Sequence, residues 1–466
     1  MRDGLGINHT NLLATIADRC NDTIKMVVDC GCEFVPNHML FEGGHSVPRS
    51  YEIKAGSGSG YIRPMHAELK KIKNVVIRTR AKFDDFIVSD DKSEVLGVTY
   101  RSGYRFNNKL VSDDLENKTG KSHTVLFPPP DSTNQPGATA GVLIKALGIG
   151  AAPVQLCWLQ FLPYCNPNEK GFGVSVNFTN HACMDLGLVV DRKTGKRFMD
   201  EHAGRKIKAD AMFKVIGNDK NYPIAVAPPL CFVRLPLEMG TVKKFDTLEA
   251  LAKHFGIKQD AFLAEVKKFN NFVKEGNDKD FHRILKFNKS LDVSKPPFYG
   301  IEVCPKMTKV HHTMGGVMIN NNAQVISATT HAPIKGLYAG GEVAGGVHGA
   351  SRLGTVAVID ALTFGMIARR TVRQDEGLSQ RLKASFQQRP HPFLLGCGRF
   401  LVLIFAAATQ CITKQPLPAL PLPAPPLFPS PHTAIDPCRR VDQFPICLRR
   451  PRRQQTVLRL PNRLFA

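Results

Sequence analysis

The chain has 466 residues, 43% of them hydrophobic, enough for two or three domains with buried cores, which excludes a wholly disordered polymer. Its formal charge of +22 would by itself favour nucleic acid or an anionic membrane, but much of the excess lies beyond Gln380, where Arg439, Arg440, Arg449, Arg450, Arg452 and Arg453 stand among few acids. The remainder is spread over lysine-rich helices read as solvated faces, so a nucleic-acid partner is not expected.

The 12 cysteines include no Cys-x-x-Cys pair, so neither a metal site nor a disulfide framework is expected. Cys20, Cys157, Cys183, Cys231 and Cys304 stand in apolar surroundings and read as reduced core residues. The opening Met1-Arg2-Asp3-Gly4 is not followed by an apolar stretch of signal-peptide length, and a cytoplasmic location is the expectation.

A helical period over Asn11 to Val28 predicts an opening helix, set by Leu12, Leu13, Ile16, Ala17, Cys20, Ile24, Val27 and Val28. Extended runs at Val75–Ile77, Phe86–Val88 and Val95–Tyr100, divided by polar turns, predict a β-meander, and a helix is expected around Ala138 to Leu147. From Leu156 to Tyr299 the pattern becomes mixed turns and amphipathic helices. Thr247 to Phe255 is one, introduced by Asp246 with Glu249 three residues on, and Asp260 to Lys274 is another. Pro296-Pro297 closes this second region, and a last helix is expected from Ala357 to Arg370. Phe393 to Ile412 approaches the length of a membrane span, but Arg399 interrupts it and prolines follow, so no span is expected. The Pro/Arg-rich remainder buries too little apolar area to offset ordering entropy and is expected to be disordered.

Two glycine-spaced runs carry the chemistry. Val310-His311-His312-Thr313-Met314-Gly315-Gly316 and Gly341-Glu342-Val343-Ala344-Gly345-Gly346-Val347-His348-Gly349-Ala350-Ser351-Arg352-Leu353-Gly354 place histidines, a carboxylate and an arginine among residues that allow close backbone approach. With Gly43-Gly44-His45, Asp131–Thr139, Asn168–Gly173 and Gly195–Lys206 they resemble the FAD-dependent fumarate and urocanate reductase flavoproteins over most of Met1 to Arg370. The resemblance implies an α/β fold, with a Rossmann-like flavin domain interrupted by a capping domain that closes on the substrate. The expected division is residues 1–158 and 310–375 for the flavin side, 159–309 for the cap and 376–466 for the tail.

The resemblance further implies FAD as cofactor and a small unsaturated carboxylate as substrate, reduced at its C=C bond by hydride from flavin N5 and a proton from Arg205. His311, Arg352, Thr179, Leu162 and Tyr164 fall at substrate positions, and arginine suits a carboxylate because its planar fork pairs both oxygens. His312, Glu342, Gly43, Gly44 and the backbone amides of Ala357 and Val358 fall on the flavin side. The electron donor is not indicated.

The chain departs from the family pattern in several places. No Gly-x-Gly-x-x-Gly turn follows a strand to receive the pyrophosphate; Gly56-Ser57-Gly58-Ser59-Gly60 has the wrong spacing, so weak FAD binding is expected. Thr355-Val356 follow Leu353-Gly354 where the family has a small residue and asparagine. Asn180 and Cys183 stand at the family's proton-relay positions, with Asp185 as a nearby carboxylate. Leu162 replaces a histidine of the fumarate enzymes, which favours an enoate with an apolar or aromatic end. The alternative expectation is a non-catalytic or truncated remnant that binds FAD weakly or not at all.

Overall fold

The computed structural model describes residues 1–73, 75–103, 139–169, 173–228, 233–287, 292–305 and 310–374. The expected tail, the Phe393–Ile412 run and the Asp131–Ala138 motif lie outside these residues. The described chain is a mixed α/β fold. Its opening helix α1 (Thr10–Asp29) is followed by β1 (Phe34–Leu40) and β2 (Ser50–Ile53), an antiparallel pair, and by α2 (Ser59–Lys71). The glycine run before α2 therefore does follow a strand, and Gly58 precedes the first helical residue. β3 (Lys82–Val88) and β4 (Val95–Arg101) form a hairpin of two strands. Val75–Ile77 adds no third strand: these residues are exposed, Val76 by 73%, because β propensity without a partner edge does not hold an extended segment in a sheet.

After α3 (Gly141–Gly148) come β5 (Pro153–Val154), β6 (Leu159–Phe161), a π-helical segment over Phe178–Asp185 and β7 (Leu188–Val190). Next are α4 (Arg205–Ile216), β8 (Ile224–Ala227), α5 (Arg234–Glu238), β9 (Lys243–Phe245), α6 (Leu248–Phe255), α7 (Gln259–Glu275) and β10 (Phe298–Glu302). Thr247, and not Asp246, caps α6: its hydroxyl accepts from Ala250 N at 3.1 Å. The strands of this stretch form an antiparallel sheet in the order β7-β8-β10-β9. Sequence period does not reveal that sheet, since both its faces are covered. Leu188, Val190, Ile224 and Val226 pack with Leu251, Phe262, Val266 and Phe269 of α6 and α7, while Val189, Ala225 and Ala227 face Phe178, Met184 and Met212.

A separate core joins the two ends of the described chain. Leu12 and Ile16 of α1 meet Phe86, Val95, Val317, Val325 and Leu337, together with Phe364 and Ala368 of the closing helix α8 (Val356–Gln374). Thr23 and Thr363 share a buried hydroxyl hydrogen bond of 2.9 Å between α1 and α8. The segment before α1 is stitched to the second glycine run: Ala350 N donates to Gly4 O at 3.1 Å, His9 N to Gly346 O at 2.8 Å, and Asn8 Nδ2 to Val347 O at 2.8 Å. Among the described residues the paired strands run antiparallel, and parallel pairing is confined to isolated bridges such as Val317 with Ala344. Among the described residues no helix is long and apolar enough to cross a membrane. Contrary to the core reading of Cys157, that residue is exposed, whereas Cys304 is buried.

A buried ion network fixes the approach to α4. Arg197 donates from Nε to Glu201 Oε1 at 2.7 Å and from Nη2 to Glu201 Oε2 at 2.6 Å and Asp278 Oδ2 at 2.8 Å, with all three side chains fully buried. Arg283 adds bonds to Glu201 Oε2 and to the carbonyls of Met184, Asp185 and Gly187, while Val189 N donates to Glu201 Oε1 at 3.2 Å. Burial alone would raise the Glu201 carboxyl, but the Arg197 and Arg283 guanidiniums overcome that and hold it below the usual carboxylate range. Glu201→Gln leaves two buried cations short of an anion and is expected to lower stability by about 3–5 kcal/mol, read from the denaturant midpoint. A loss below about 1 kcal/mol would show that the network is energetically neutral.

Candidate active site

Strand β6, which leads into Leu162 and Tyr164, pairs antiparallel with β11 (Val310–Thr313): Val310 opposes Phe161, His312 opposes Gln160 and Thr313 opposes Leu159. Two residues advance on β11 for one on β6, so a bulge falls at His311, a distortion that locally re-aims a strand. The His311 side chain lies outside the described residues. Gln160 Nε2 donates to Arg352 O at 2.7 Å, tying β6 to the loop before α8.

Arg352 is only 5% exposed, its Nη1 donates to Leu353 O at 3.1 Å, and its Nε is buried without a hydrogen-bond partner. Burial pushes this guanidinium down to about 9; the Arg205 cation adds to the fall, while Glu342, Glu42 and Tyr164 pull the other way. The structure thus brings Arg205, the first residue of α4, into electrostatic reach of Arg352 from a distant part of the sequence. Arg205 Nη1 is likewise buried without a hydrogen-bond partner. Two guanidiniums within electrostatic reach of each other, each with an unmet donor, have the chemistry to receive an anion with several oxygens.

Tyr164 is buried in the same region, and its Oη accepts from Lys208 Nζ at 2.8 Å. Leu162 is buried in the core beside Tyr164, Val176 and Met184. Thr179 is fully buried, and its hydroxyl donates to Ser175 O at 3.1 Å, within its own turn. Of the relay positions, Asn180 is partly buried, the Cys183 side chain lies outside the described residues, and Asp185 Oδ1 stands 3.9 Å from His202 Nε2.

On the other side, His312 Nδ1 lies 3.7 Å from Glu342 Oε2, and the His312 ring meets His348 at 5.2 Å; His348 Nε2 in turn sits 3.1 Å from Asp360 Oδ2. Glu342 Oε1 accepts from Thr313 N at 3.0 Å. Ala357 and Val358 open α8, where Val358 N already donates to Thr355 O at 3.1 Å and Val356 N to Gly354 O at 2.8 Å. Gly43 and Gly44 pack on the turn before α4: Gly44 N donates to His202 O at 2.7 Å, and a Cβ on Gly44 would strike Asp3, Leu353 and Gly204. The close approach allowed by Gly315, Gly316 and Gly345 is to the chain's own backbone at Gln155, Val343 and Val154.

Sequence reasoning missed Lys208 and His202. The signal for Lys208 is its position three residues after Arg205, on the same helical face. His202 stacks on Phe41 with ring centres 4.2 Å apart, and with its Nε2 2.8 Å from Phe41 O it is read as the donor tautomer. Burial is the main cause that drives its imidazole down to about 4, against the pull of Asp185. The folded value lies below the ordinary 6.5, so protonation favours the unfolded chain: the stabilisation is present above pH 6.5 and is lost as pH falls through about 4. His202→Gln should therefore show a flatter acid dependence of its thermal midpoint, the difference amounting to about 3 kcal/mol at most. Parallel acid curves for the two proteins would refute the assignment.

Comparison with known proteins adds to this geometry. Residues 4–358 match the model of the FAD binding domain family. The chain is 34% identical over 401 residues to the acrylate reductase flavoprotein subunit of Shewanella woodyi, covering 80% of this chain and 77% of that one. It is 31% identical over 381 residues to the fumarate reductase (cytochrome) of Shewanella frigidimarina, covering 79% of this chain and 64% of the relative, just under two thirds of its length. The open conformation of a flavocytochrome c3 fumarate reductase superposes with a TM-score of 0.53 at 26% identity, over 80% of this chain and 65% of that one.

Proposed function

This chain belongs to the FAD binding domain family, and from that premise we propose that it is an FAD-dependent oxidoreductase reducing the C=C bond of an enoate. The observation that carries this reading is the convergence of Arg205 and Arg352, each with a buried guanidinium nitrogen lacking a hydrogen-bond partner. The relatives named for acrylate and fumarate reduction act on small unsaturated carboxylates, which supports the same substrate class here.

In this reading Arg352 grips the substrate carboxylate with its fork, aided by His311 and Tyr164, while the Thr179 hydroxyl, which donates to Ser175 O, shapes the pocket wall and gives the carboxylate no hydrogen bond. Its neighbour Arg205 lowers the preference of Arg352 for a proton without removing its charge near neutral pH. Arg205 gives a proton to the α-carbon, a role for so weak an acid that requires exclusion of water. Leu162, where the fumarate enzymes of the family carry histidine, leaves the distal end of the site apolar and favours a monocarboxylate enoate with a small or apolar β-substituent.

The His312–Glu342 pair and the N-terminus of α8 fit the ring end of a flavin, since a helix start favours electron-rich groups. When bound, FAD supplies the hydride. Ala357 completes the proposed flavin side, whereas the Val358 amide is spent on Thr355 O, Gly44 N on His202 O, and Gly43 packs against Ala203 and Lys208. Weak flavin affinity is expected within this reading, because the first amides of α8 at Val356 and Val358 are engaged by Gly354 and Thr355 carbonyls. Titration of the 466-residue chain with FAD, followed by fluorescence, is expected to give weak binding; a stoichiometric yellow complex after purification would overturn that expectation.

For flavin-loaded protein supplied with a chemical electron donor, Arg205→Ala is expected to lower kcat by at least about a hundredfold while leaving the flavin spectrum unchanged. Retained turnover in this variant would remove the proton-donor assignment.

A further inference from the structure

A third cation stands on α4, and among the described residues it forms no ion pair. Lys208 lies one turn after Arg205 in α4 and is 1% exposed. Its Nζ donates to Tyr164 Oη at 2.8 Å and to the Glu201 carbonyl at 3.2 Å, and it sits 4.6 Å from the centre of the Tyr164 ring. Gly43 closes the remaining side, where a Cβ would come within 3.1 Å of Nζ. Among the described residues no carboxylate lies within ion-pair distance of this ammonium. The Asp200 carboxylate feels the Lys208 charge from beyond ion-pair distance, and a phenol and a carbonyl supply the ammonium's hydrogen bonds, a costly burial that a further anion would relieve.

The direction of the Tyr164 hydroxyl follows from that contact. An ammonium has only protons to give, so Oη is the acceptor, and the phenolic hydrogen remains available to donate elsewhere. The pair lies beside the Arg352 loop: Gly43 borders Lys208 Nζ, the adjacent Gly44 borders the Leu353 side chain, and Gln160, four residues before Tyr164, donates to Arg352 O at 2.7 Å. The pieces therefore share one location: a fork at Arg352, a hydroxyl donor at Tyr164, and behind it a fixed positive charge.

We propose that Lys208 is a positioning and specificity residue of this site, holding the Tyr164 hydroxyl as a donor to the carboxylate gripped by Arg352. The inference rests on the enoate reading of the site. It makes carboxylate recognition in this chain depend on a lysine–tyrosine pair placed beside Leu162, where the fumarate enzymes of the family carry histidine. Since the pair holds bound substrate and transition state alike, its loss raises KM more than it lowers kcat.

The test uses the full chain and propionate, a saturated monocarboxylate that cannot be reduced, with binding measured by calorimetry and therefore independently of turnover. Lys208→Met and Tyr164→Phe are each expected to weaken propionate binding about ten- to a hundredfold, and Lys208→Met to raise the enoate KM comparably with kcat within about twofold. Adding Lys208→Met to Tyr164→Phe is expected to cost little more than Tyr164→Phe alone, because the lysine acts through the hydroxyl. Independent, additive losses would overturn the positioning role. Arg352→Gln serves as the control. Parent-like propionate binding in Lys208→Met, beside loss of binding in Arg352→Gln, would sink the lysine proposal and leave the enoate reading standing. Parent-like binding in Arg352→Gln, or none in the parent chain, would remove the enoate reading itself. If Lys208→Met does not fold, Tyr164→Phe decides: unchanged propionate binding there overturns the proposal.

Discussion

The geometry of the site depends on the buried ion network around Glu201. This carboxylate receives Arg197, Arg283 and the Val189 amide, and through them it joins the loop before α4, strand β7, the π-helical segment and the chain at Asp278. Arg205 and Lys208 are carried on the helix that starts four residues after Glu201, and the Glu201 carbonyl is itself a ligand of the Lys208 ammonium. One residue therefore serves the scaffold with its side chain and the site with its backbone. Charges so deeply buried are retained only when several donors meet them, and here the carboxylate is matched by two guanidiniums.

The chemistry of the site follows from how unevenly its charges are compensated. Arg197 and Arg283 share Glu201, and Arg197 also pairs with Asp278, although Arg197 Nη1 is itself buried without a hydrogen-bond partner, whereas among the described residues Arg205, Lys208 and Arg352 form no ion pair. The first set rigidifies and the second attracts anions. The glycine runs contribute differently from what their spacing suggests, because Gly315, Gly316 and Gly345 admit other stretches of this chain's backbone, and Gly346 and Gly349 admit His9 and Gly4. Their lack of a side chain fixes the strand and loop positions on which His312, Glu342 and Arg352 depend.

Much of this was legible in sequence wherever one face of an element meets water. The periods of α1, α6, α7 and α8 and the β3–β4 hairpin could be read because exposed positions punctuate the buried ones. The four-stranded sheet was not legible: Leu188–Val190 and Ile224–Ala227 are buried on both faces, so no alternation survives. The motif residues named the family and the arginines, yet Lys208 reads by composition as one more solvated lysine. Only the fold shows that Tyr164, Gly43 and Glu201 enclose it.

The pairing of α1 with α8 has a consequence for how the chain acquires its structure. Leu12 and Phe364 belong to one core, and Thr23 and Thr363 share one hydrogen bond, across some 340 residues of intervening sequence. That core cannot close on the ribosome until α8 has emerged, whereas the sheet β7-β8-β10-β9 and its helices are complete within a much shorter stretch. Synthesis thus favours a central region that condenses first while the apolar face of α1 waits. During that interval α1 is the segment most exposed to non-native association, and chaperone dependence would concentrate there.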